Sequence, residues 1–387
     1  MNRIESVPSK ADVVSPEIIS NSQDSLYARR LAQLEQFDAG TLTPPFPREA
    51  LVELSNWCNH ACVFCANARM ERKKGFLNLR LYERFVREAV ALGLKEIGLY
   101  TTGEPFFTKN LDQYVATAKK AGVRYVFLTT NGALATPDRA VPVIEAGLSS
   151  IKFSVNAGSR ETYSLVHGHD DFDKVIDNIT FISRYRDVRA PHLRLMASCA
   201  VTRMVEGEKD RIKDILLPLV DDVVFFGVDG QSGQSLEQLP LLKSAMSPAI
   251  PQVGEAQPCA MLWNRVHLTW EGYLTLCCID YENALTYADF KAAGSLAEAW
   301  NNTIIVRMRR RHQTQELRGT LCQNCLYGTQ ETVKHLTTIG HEDASASVIS
   351  GNANGVAWVS ARINTLISIH KTIPDPVCPE DNQSEPR

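Results

Sequence analysis

The amino-acid sequence predicts an α/β fold, in which parallel strands alternate with helices, followed by a smaller C-terminal module that contains a β-hairpin. Between residues 50 and 228, short apolar runs alternate with segments that have helical periodicity. Right-handed helical crossovers bring the carboxyl ends of parallel strands to one edge of the sheet, where such folds keep their active sites. Cysteines follow the first of these strands, and a second group of cysteines lies beyond residue 258.

The composition is that of a soluble globular protein. The chain has 387 residues, of which 44% are hydrophobic and 22% are charged, so two or three domains can be expected. The net charge of −3 gives no reason to expect a nucleic acid or an anionic membrane as a partner. The N-terminus lacks the apolar core of a signal peptide, and no apolar run approaches the roughly 18 residues of a membrane span. We therefore expect a cytoplasmic protein.

Residues 1–47 are predicted to be a mobile N-terminal arm with one short helix. Residues 1–24 are polar with scattered Ser and Pro, whereas Asp24 to Phe37 has leucines near helical spacing. The Pro-rich segment 43–47 ends that helix and leads into the first strand of the sheet.

The main α/β unit is predicted to span residues 48–230. Strands are expected at 50–54, 96–100, 125–128, 150–155, 193–201 and 223–228, and helices at 79–92, 111–121, 142–146, 172–185 and 209–219. The basic stretch from Arg69 to Lys74 fits a solvated loop, and the alternative is a role near an anionic substrate or an electron donor.

Two further divisions follow from composition. Residues 231–257, rich in Ser, Pro and Gln, are predicted to be a linker to a second unit at 258–330. Residues 331–387 form a tail with one helix-like run at 356–369 and an end that should be disordered.

The loop after the first strand is the strongest functional signal. It holds Cys58, Cys62 and Cys65 in the spacing C-x3-C-x2-C. Structural zinc and stable electron-transfer clusters usually take four protein ligands. Three thiolates on one loop therefore leave one coordination position for something other than protein.

This spacing, with Phe64 just before the last cysteine, resembles the signature of the radical SAM superfamily. The resemblance implies a partial (β/α)6 barrel like a TIM barrel, a [4Fe-4S] cluster on the three cysteines, and S-adenosyl-L-methionine on the fourth iron. It also implies a small-molecule substrate and an electron donor such as flavodoxin or ferredoxin. A zinc knuckle is the alternative interpretation.

The resemblance extends to two strand ends. Thr102-Gly103-Glu104 resembles the Gly-Gly-Glu motif that meets the methionine amino group, with Thr102 in place of the first glycine. Ser154 and Asn156 resemble an element that contacts the ribose or the methionine carboxylate, although a strand end with a turn residue would look the same. Asn131 in Thr-Thr-Asn-Gly either lines the same edge or forms a turn with Gly132. Phe64 is expected to contact the cofactor as well.

The second cysteine set resembles the SPASM and twitch domains that follow radical SAM barrels. Glu271-Gly272 fits a two-residue hairpin turn between strands at 265–270 and 273–277, which projects Cys277 back toward Cys259. The family pattern selects Cys277 rather than Cys278. It implies one auxiliary [4Fe-4S] cluster with four ligands, namely Cys259, Cys277, Cys322 and Cys325. The same spacing would permit a zinc site.

A single fully ligated auxiliary cluster resembles the twitch-type dehydrogenases. This implies a radical SAM oxidoreductase that oxidises a hydroxyl-bearing carbon of a small polar metabolite, such as a sugar or aminocyclitol. The base that removes the hydroxyl proton is not identified; His167 and His169 are candidates, although exposed loop histidines are the plainer interpretation. Cys199 and Cys278 are either apolar fillers or hydrogen-atom donors. The alternatives are a peptide-modifying enzyme, a redox-neutral epimerase that uses Cys199 or Cys278, and a zinc-binding scaffold.

Overall fold

The computed structural model describes residues 15–21, 25–340, 357, 359–365 and 368. It confirms the predicted α/β fold with a large, mostly parallel sheet and a C-terminal antiparallel hairpin. The strands are β1 Glu17–Ser20, β2 Glu49–Val52, β3 Glu96–Gly98, β4 Tyr125–Thr130, β5 Ser150–Ser154, β6 Arg194–Val201, β7 Asp222–Gly227, β8 Arg265–Leu268, β9 Tyr273–Thr275 and β10 Thr286–Asp289.

The helices alternate with the strands along most of the chain. They are α1 Leu26–Leu34, α2 Leu79–Ala91, α3 Leu111–Lys120, α4 Pro137–Glu145, α5 Arg160–His167, α6 Phe172–Arg189, α7 Lys209–Leu216, α8 Leu239–Leu242, α9 Met261–Asn264, α10 Leu296–Trp300, α11 Thr303–Gln313 and α12 Leu321–Tyr327. Helix α2 shows why the pattern is helical. The Asn78 side chain caps its start, and Tyr82, Phe85, Val86 and Ala89 are buried at helical spacing.

Two helical predictions need correction. Helix α4 begins at Pro137, five residues before the predicted start, because Pro fits the first helical turn, where its missing N–H is not needed. Helix α5 was not predicted at all, although Ser159 caps it and Gly168 ends it in the left-handed conformation. Its position matters because it carries His167 at its last residue.

The strands form one continuous sheet of ten, in the order β1-β7-β6-β5-β4-β3-β2-β8-β9-β10. Strands β2 to β7 are the six predicted parallel strands. The first strand of the C-terminal module, β8, pairs in parallel with β2 over four residue pairs, from Glu49 with Arg265 to Val52 with Leu268. The C-terminal module therefore extends the sheet of the main unit rather than standing apart from it.

The predicted hairpin is present, but its loop is longer than the predicted two residues. Gly272 N–H donates to Thr269 C=O, and Thr269 N–H donates to Tyr273 C=O, both at 2.9 Å. Gly272 has φ +88°, so this is a type I turn followed by a residue in the left-handed conformation. Gly272 thus provides the left-handed residue at the end of the turn.

The N-terminal segment is more ordered than predicted. Residues 17–20, expected to belong to a mobile arm, form β1 and pair antiparallel with β7, with Glu17 opposite Phe225. Helix α1 confirms the predicted short helix. Of the predicted arm, residues 1–14 and 22–24 lie outside the described residues.

Residues 41–45 are held by side chains of the C-terminal module. Trp263 Nε1 donates to Thr41 C=O at 2.7 Å, and Trp300 Nε1 donates to Pro44 C=O at 3.1 Å. The fully buried Arg309 donates to Leu42 C=O at 2.9 Å and stacks over the Trp300 ring. These side chains donate hydrogen bonds to backbone carbonyl groups of an irregular segment, which has no neighbouring strand to pair with.

Three other predictions concern the segment 231–257 and the C-terminal tail. Residues 231–257 are not an extended linker, because Ser232, Ser235 and Gln238 are buried. The tail run at 356–369 is helical over 359–365, with Val359 fully buried. The expected disorder of residues 374–387 concerns residues outside the described part of the chain. No helix among the described residues is long and apolar enough to cross a membrane.

Candidate metal centres and cofactor site

The three-cysteine loop is fixed by its backbone against helix α5. Ala61 N–H donates to His167 C=O at 3.0 Å, and Val63 N–H donates to Val166 C=O at 2.9 Å. The tight turn is closed by Cys65 N–H, which donates to Cys62 C=O at 3.0 Å. The loop therefore holds its thiols in a fixed arrangement beside the strand ends, and Phe64 packs against the core.

Each thiol has a polar neighbour from another element. Asn131 Nδ2 lies 3.9 Å from Cys58 Sγ, His167 Nδ1 lies 3.7 Å from Cys62 Sγ, and Tyr281 Oη lies 3.4 Å from Cys65 Sγ. Burial raises the pKa of Cys58 to about 12, with Glu104 and Cys65 adding to the effect. Burial and the two other thiols raise the pKa of Cys62 as well. Buried thiols with raised pKa values lose their protons readily only around a positively charged group. The three thiols therefore fit the ligands of an iron–sulfur cluster.

The histidine next to Cys62 belongs to a buried chain of polar groups. Asn156 N–H donates to His167 Nε2 at 3.2 Å, which leaves the ring proton on Nδ1. That proton faces His60 Nδ1 at 3.3 Å, and His60 Nε2 in turn lies 3.1 Å from Asp171 Oδ2. His167 is completely buried, so the interpretation of an exposed loop histidine is wrong for it; His169 is more than half exposed.

The Thr102-Gly103-Glu104 segment lies directly against the cysteine loop. Glu104 N–H donates to Trp57 C=O at 2.8 Å. A Cβ atom on Gly103 would come within 2.2 Å of Ser55 C=O and 2.8 Å of Trp57 C=O, so only glycine fits there. This is the close backbone approach that the predicted cofactor motif requires.

Glu104 is almost fully buried and already accepts three hydrogen bonds. Thr130 Oγ1 donates at 2.7 Å, Asn131 N–H at 2.8 Å and Phe106 N–H at 3.0 Å. Burial raises its pKa, while these hydrogen bonds oppose the rise. A carboxylate offers about four lone-pair positions, so one position remains for an ammonium group. Asn131 thus lines the site and also fixes Glu104.

The two residues predicted at the end of β5 differ in their availability. Asn156 is buried; its Oδ1 accepts from Ala200 N–H at 2.7 Å, and its Nδ2 lies 3.3 Å from His167 Nε2. Its amide is therefore engaged in holding β5, β6 and α5 together. Ser154 is partly exposed, and its side chain makes no hydrogen bond within the described part of the chain. Of the two, Ser154 is the one left to meet a ligand.

The basic stretch is not a fully solvated loop, because three of its four cations contact other elements, while Lys73 stays exposed. Arg72 is buried and donates to Glu53 Oε1 and Asn283 Oδ1, both at 2.6 Å. Glu53 also accepts a short hydrogen bond from the Thr102 hydroxyl. Lys74 Nζ donates to Asn56 C=O at 3.0 Å, on the backbone of the cysteine loop. These residues brace the loop and tie it to the C-terminal module.

The second cysteine set converges on one small cavity. Its lining includes all four predicted residues, and it excludes Cys278; the four are Cys259, Cys277, Cys322 and Cys325. Cys322 is buried and Cys325 is exposed. His312 lines the same cavity, accepts from Cys259 N–H at Nδ1 and therefore carries its proton on Nε2. That Nε2 is buried without a partner among the described residues, which fits a cavity filled by a group with acceptor sulfurs.

Cys278 and Cys199 face different surroundings. Cys278 lines a separate pocket with Thr101, Thr102 and Glu53, on the side of the first site. The pKa of Cys278 is lowered by a hydrogen bond from Cys277 and by Arg265. Cys199 is completely buried on β6, on the face opposite Met196 and beside Glu208 and Lys209 of the helix layer. Of the two interpretations of Cys199, this position favours the apolar filler over the hydrogen-atom donor.

A short polar chain connects the two cysteine sets. Tyr281 Oη, beside Cys65, donates to Gln231 Oε1 at 2.8 Å, and the next residue, Ser232, places its Oγ 3.2 Å from Cys277 Sγ. Gln231 and Ser232 have φ of 48° and 54°, a conformation that non-glycine residues rarely adopt. Nothing in the local sequence pattern identifies these three residues, because their contacts join segments far apart in the chain.

Family comparisons agree with both sites. A model of the radical SAM superfamily matches residues 52–192, and a model of the SPASM iron–sulfur cluster-binding domain matches residues 259–326. The chain carries a radical SAM domain followed by a SPASM domain. Its cofactors are accordingly a [4Fe-4S] cluster with S-adenosylmethionine in the radical SAM domain and additional iron–sulfur chemistry in the SPASM domain. The residues described above fit both groups.

Relatives of established name cover only part of the chain. A GTP 3′,8-cyclase of Stenotrophomonas maltophilia is 35% identical over 134 residues, which is 34% of this chain and 40% of that protein. A probable GTP 3′,8-cyclase of Saccharolobus islandicus is 35% identical over 128 residues, 33% of this chain and 41% of that protein. The matched segments thus span about two fifths of those cyclases, and their reaction is not carried over to this radical SAM protein.

Two solved structures share the fold. BtrN in complex with AdoMet and 2-DOIA has a TM-score of 0.50 at 17% identity, covering 73% of this chain and 94% of BtrN. Streptococcus suis SuiB bound to its precursor peptide SuiA has a TM-score of 0.55 at 14% identity, covering 86% of this chain and 83% of SuiB. These similarities show the arrangement of barrel and C-terminal module and nothing about the substrate.

Proposed function

We propose that this radical SAM protein is an oxidoreductase that oxidises a hydroxyl-bearing carbon of a small polar metabolite, such as a sugar or aminocyclitol, removing one hydrogen atom from that carbon and one proton from its hydroxyl group. The first cluster would be held by Cys58, Cys62 and Cys65, with S-adenosylmethionine beside Phe64, Gly103, Glu104 and Ser154. When bound, these groups supply a radical that takes a hydrogen atom from carbon, and the second cluster supplies an acceptor for the electron that remains.

The observation that carries this proposal is the convergence of four thiols on one cavity. A cluster with four cysteine ligands has no iron left for a substrate, so electron transfer is the role that remains to it. Cys325 is exposed among the described residues, so the set lies near the protein surface, where an external electron acceptor can approach. A redox-neutral reaction would give such a set no evident purpose.

The substrate would occupy a cavity of about 340 Å³, which is within the size range of small-molecule sites. Tyr100, Thr129 and Lys152 line it, and each lies two residues before a residue of the cofactor edge, namely Thr102, Asn131 and Ser154. Two residues along a strand span about 6.6 Å on the same face, so the cavity lies just below that edge. On its other side, Ala260 and Met261 follow Cys259 directly. The cavity is therefore about one strand step from the proposed S-adenosylmethionine site and adjacent in sequence to Cys259.

The mass of the product tests the reaction. Anaerobic protein with both clusters is incubated with S-adenosylmethionine, a reductant and a mixture of polar metabolites, and compounds consumed together with 5′-deoxyadenosine formation are identified by mass spectrometry. The proposal expects a product lighter by two hydrogens. A product of unchanged mass in H2O that gains one carbon-bound deuterium in D2O would contradict it and indicate epimerisation.

Two variants separate these outcomes further. Losing Cys322 and Cys325 should block product while sparing 5′-deoxyadenosine formation, because the first electron-transfer step does not need them. Cys278→Ala should spare a dehydrogenase but stop an epimerase that returns a hydrogen atom from this thiol, which lies on the side of the first site. A colourless protein that contains zinc would instead contradict the assignment of both clusters.

A further inference from the structure

The proposed substrate cavity carries an uneven charge. Arg30, Arg265 and Lys152 all line it. Arg265 Nε lies 2.6 Å from Glu49 Oε1, and Arg30 Nη2 donates to Glu49 Oε2 at 2.9 Å and makes a second ion pair with Glu96. These two guanidinium groups thus share two carboxylates. Among the described residues that line the cavity, Glu35 is the one acid, and it is exposed at the rim.

Lys152 has no counter-ion among the described residues. Its ammonium forms no hydrogen bond or ion pair with any of them, and its nitrogen lies 5.5 Å from the centre of the Tyr27 ring. The charged groups that act on it are Arg265 and Arg30, and the Cys278 thiol has a smaller, opposite effect on its pKa. Burial and the two guanidinium groups lower the pKa of Lys152 to about 8. An ammonium buried in this way is costly unless something pairs with it.

We propose that Lys152 pairs with an anionic group of the substrate, a carboxylate or a phosphate, so that the metabolite oxidised in this cavity is a hydroxylated acid or a sugar phosphate. The inference rests on the proposed function in taking this cavity as the substrate site. It narrows the substrate class, because a protonated amine in this cavity would meet three cations, and the one acid among the described lining residues is the exposed Glu35.

The position of Lys152 on β5 supports this role. It lies two residues before Ser154 and shares its face of the strand, so an anion on Lys152 leaves the rest of the molecule pointing toward the cofactor edge. An anchoring charge pair about one strand step below the reacting carbon would orient that carbon without touching it. Lys152 is in this sense a binding and positioning residue, and the proton acceptor of the reaction is a separate question.

Protection of Lys152 from acetylation tests the proposal without turnover. The full-length, cluster-loaded protein with S-adenosylmethionine is treated anaerobically with acetic anhydride, and acetylation of Lys152 is followed by peptide mass spectrometry. The probes are glycerate, glycerol phosphate and uncharged glycerol, which share hydroxyl groups and differ in charge. Lys120, exposed on α3, reports the reactivity of the reagent in the same sample.

We expect glycerate, glycerol phosphate or both to slow acetylation of Lys152 by about tenfold or more, since ion pairing keeps the amine protonated. Glycerol should have little effect, and Lys120 should not change. The stronger of the two anions identifies the substrate as a carboxylate or a phosphate. Equal protection by glycerol, or no protection by either anion at saturating concentration, would overturn the proposal.

Direct binding provides the second arm. Lys152→Met keeps an unbranched side chain and should weaken binding of the protective anion about tenfold in calorimetry, whereas Lys120→Gln should not. Unchanged affinity in Lys152→Met would overturn the proposal. Neither arm requires oxidation, so an unexpected product mass would count against the dehydrogenase alone.

Discussion

Tyr281 should raise the reduction potential of the first cluster, and Tyr281→Phe should lower it. The Tyr281 hydroxyl lies 3.4 Å from Cys65 Sγ and 2.8 Å from Gln231 Oε1. A tyrosine has one proton to donate. When Cys65 is a cluster thiolate, that proton is best placed on the sulfur, and the Gln231 amide can turn to donate N–H to the Tyr281 oxygen. The phenylalanine variant removes this donor and leaves the ring in place.

The magnitude follows from how the hydrogen bond responds to charge. A hydrogen bond to a charged group contributes about 1.5–3 kcal/mol in total. Hydrogen bonds to cluster sulfurs favour the reduced state, because reduction adds negative charge to the sulfurs. If roughly a third of that energy differs between the redox states, the reduction potential of a one-electron couple changes by roughly 20–40 mV. This conversion uses about 59 mV per tenfold change in the equilibrium constant. The potential should become more negative by that amount.

A redox titration followed by electron paramagnetic resonance measures this shift. Adding S-adenosylmethionine should identify the first cluster, because we expect an open iron in that cluster and four cysteine ligands in the second. Tyr287→Phe is a matched control, since Tyr287 is buried in the same module and its hydroxyl has no partner among the described residues. An unchanged potential in Tyr281→Phe, or equal shifts in both variants, would refute the reasoning.

Three other outcomes follow from the sites. The chain should contain about eight irons in two four-iron clusters, and alanine at all three loop cysteines should leave about four by iron assay; reductive cleavage of S-adenosylmethionine by that variant would contradict the assignment. Gly103→Ala should lower the free energy of unfolding by about 1–3 kcal/mol and weaken cofactor binding, because its Cβ would lie 2.2 Å from Ser55 C=O. Gly207→Ala is its control, with no atom within 4 Å of the added methyl. Lys152→Met should raise the melting temperature at pH 7, since the native lysine has a pKa of about 8 against an ordinary value of 10.5. The unfolded chain binds more protons between those values, so stability of the native sequence rises with pH there and the advantage of methionine should shrink; a constant difference would contradict the charge argument.

The sequence predicted the parts of this molecule that depend on local pattern. Strands β2 to β7 lie within a few residues of their predicted positions, because short β-prone runs between helical segments determine them. The cysteine spacing favoured Cys277 over Cys278, and in the structure Cys277 lines the four-cysteine cavity, whereas Cys278 lines a neighbouring pocket that Cys277 also borders. Ligand spacing is a local property, so it can be read without the fold.

Contacts between distant segments could not be predicted in this way. Tyr281 and Cys65 are 216 residues apart, and Arg362 donates to Ala61 C=O, beside Cys62, from a helix 301 residues away. Arg72 looked solvated because its partners Glu53 and Asn283 come close only when β2 and the C-terminal module meet. Periodicity reports whether a residue faces a core and says nothing about which segment supplies that core.

The pairing of β8 with β2 explains why the two sites keep a fixed relation. Cys259 precedes β8 by a single helical turn, and Cys277 follows β9 directly, so the hydrogen bonds between β2 and β8 locate both residues relative to the cysteine loop that follows β2. A module on a flexible linker could not hold its thiols at a constant distance from the barrel interior. Electron transfer depends steeply on distance, whereas substrate exchange needs an opening. A shared sheet with a cavity of about 340 Å³ beside it meets both requirements, and the carbonyl contacts of Trp300 and Arg309 with residues 42–45 hold the opposite side of the module in place.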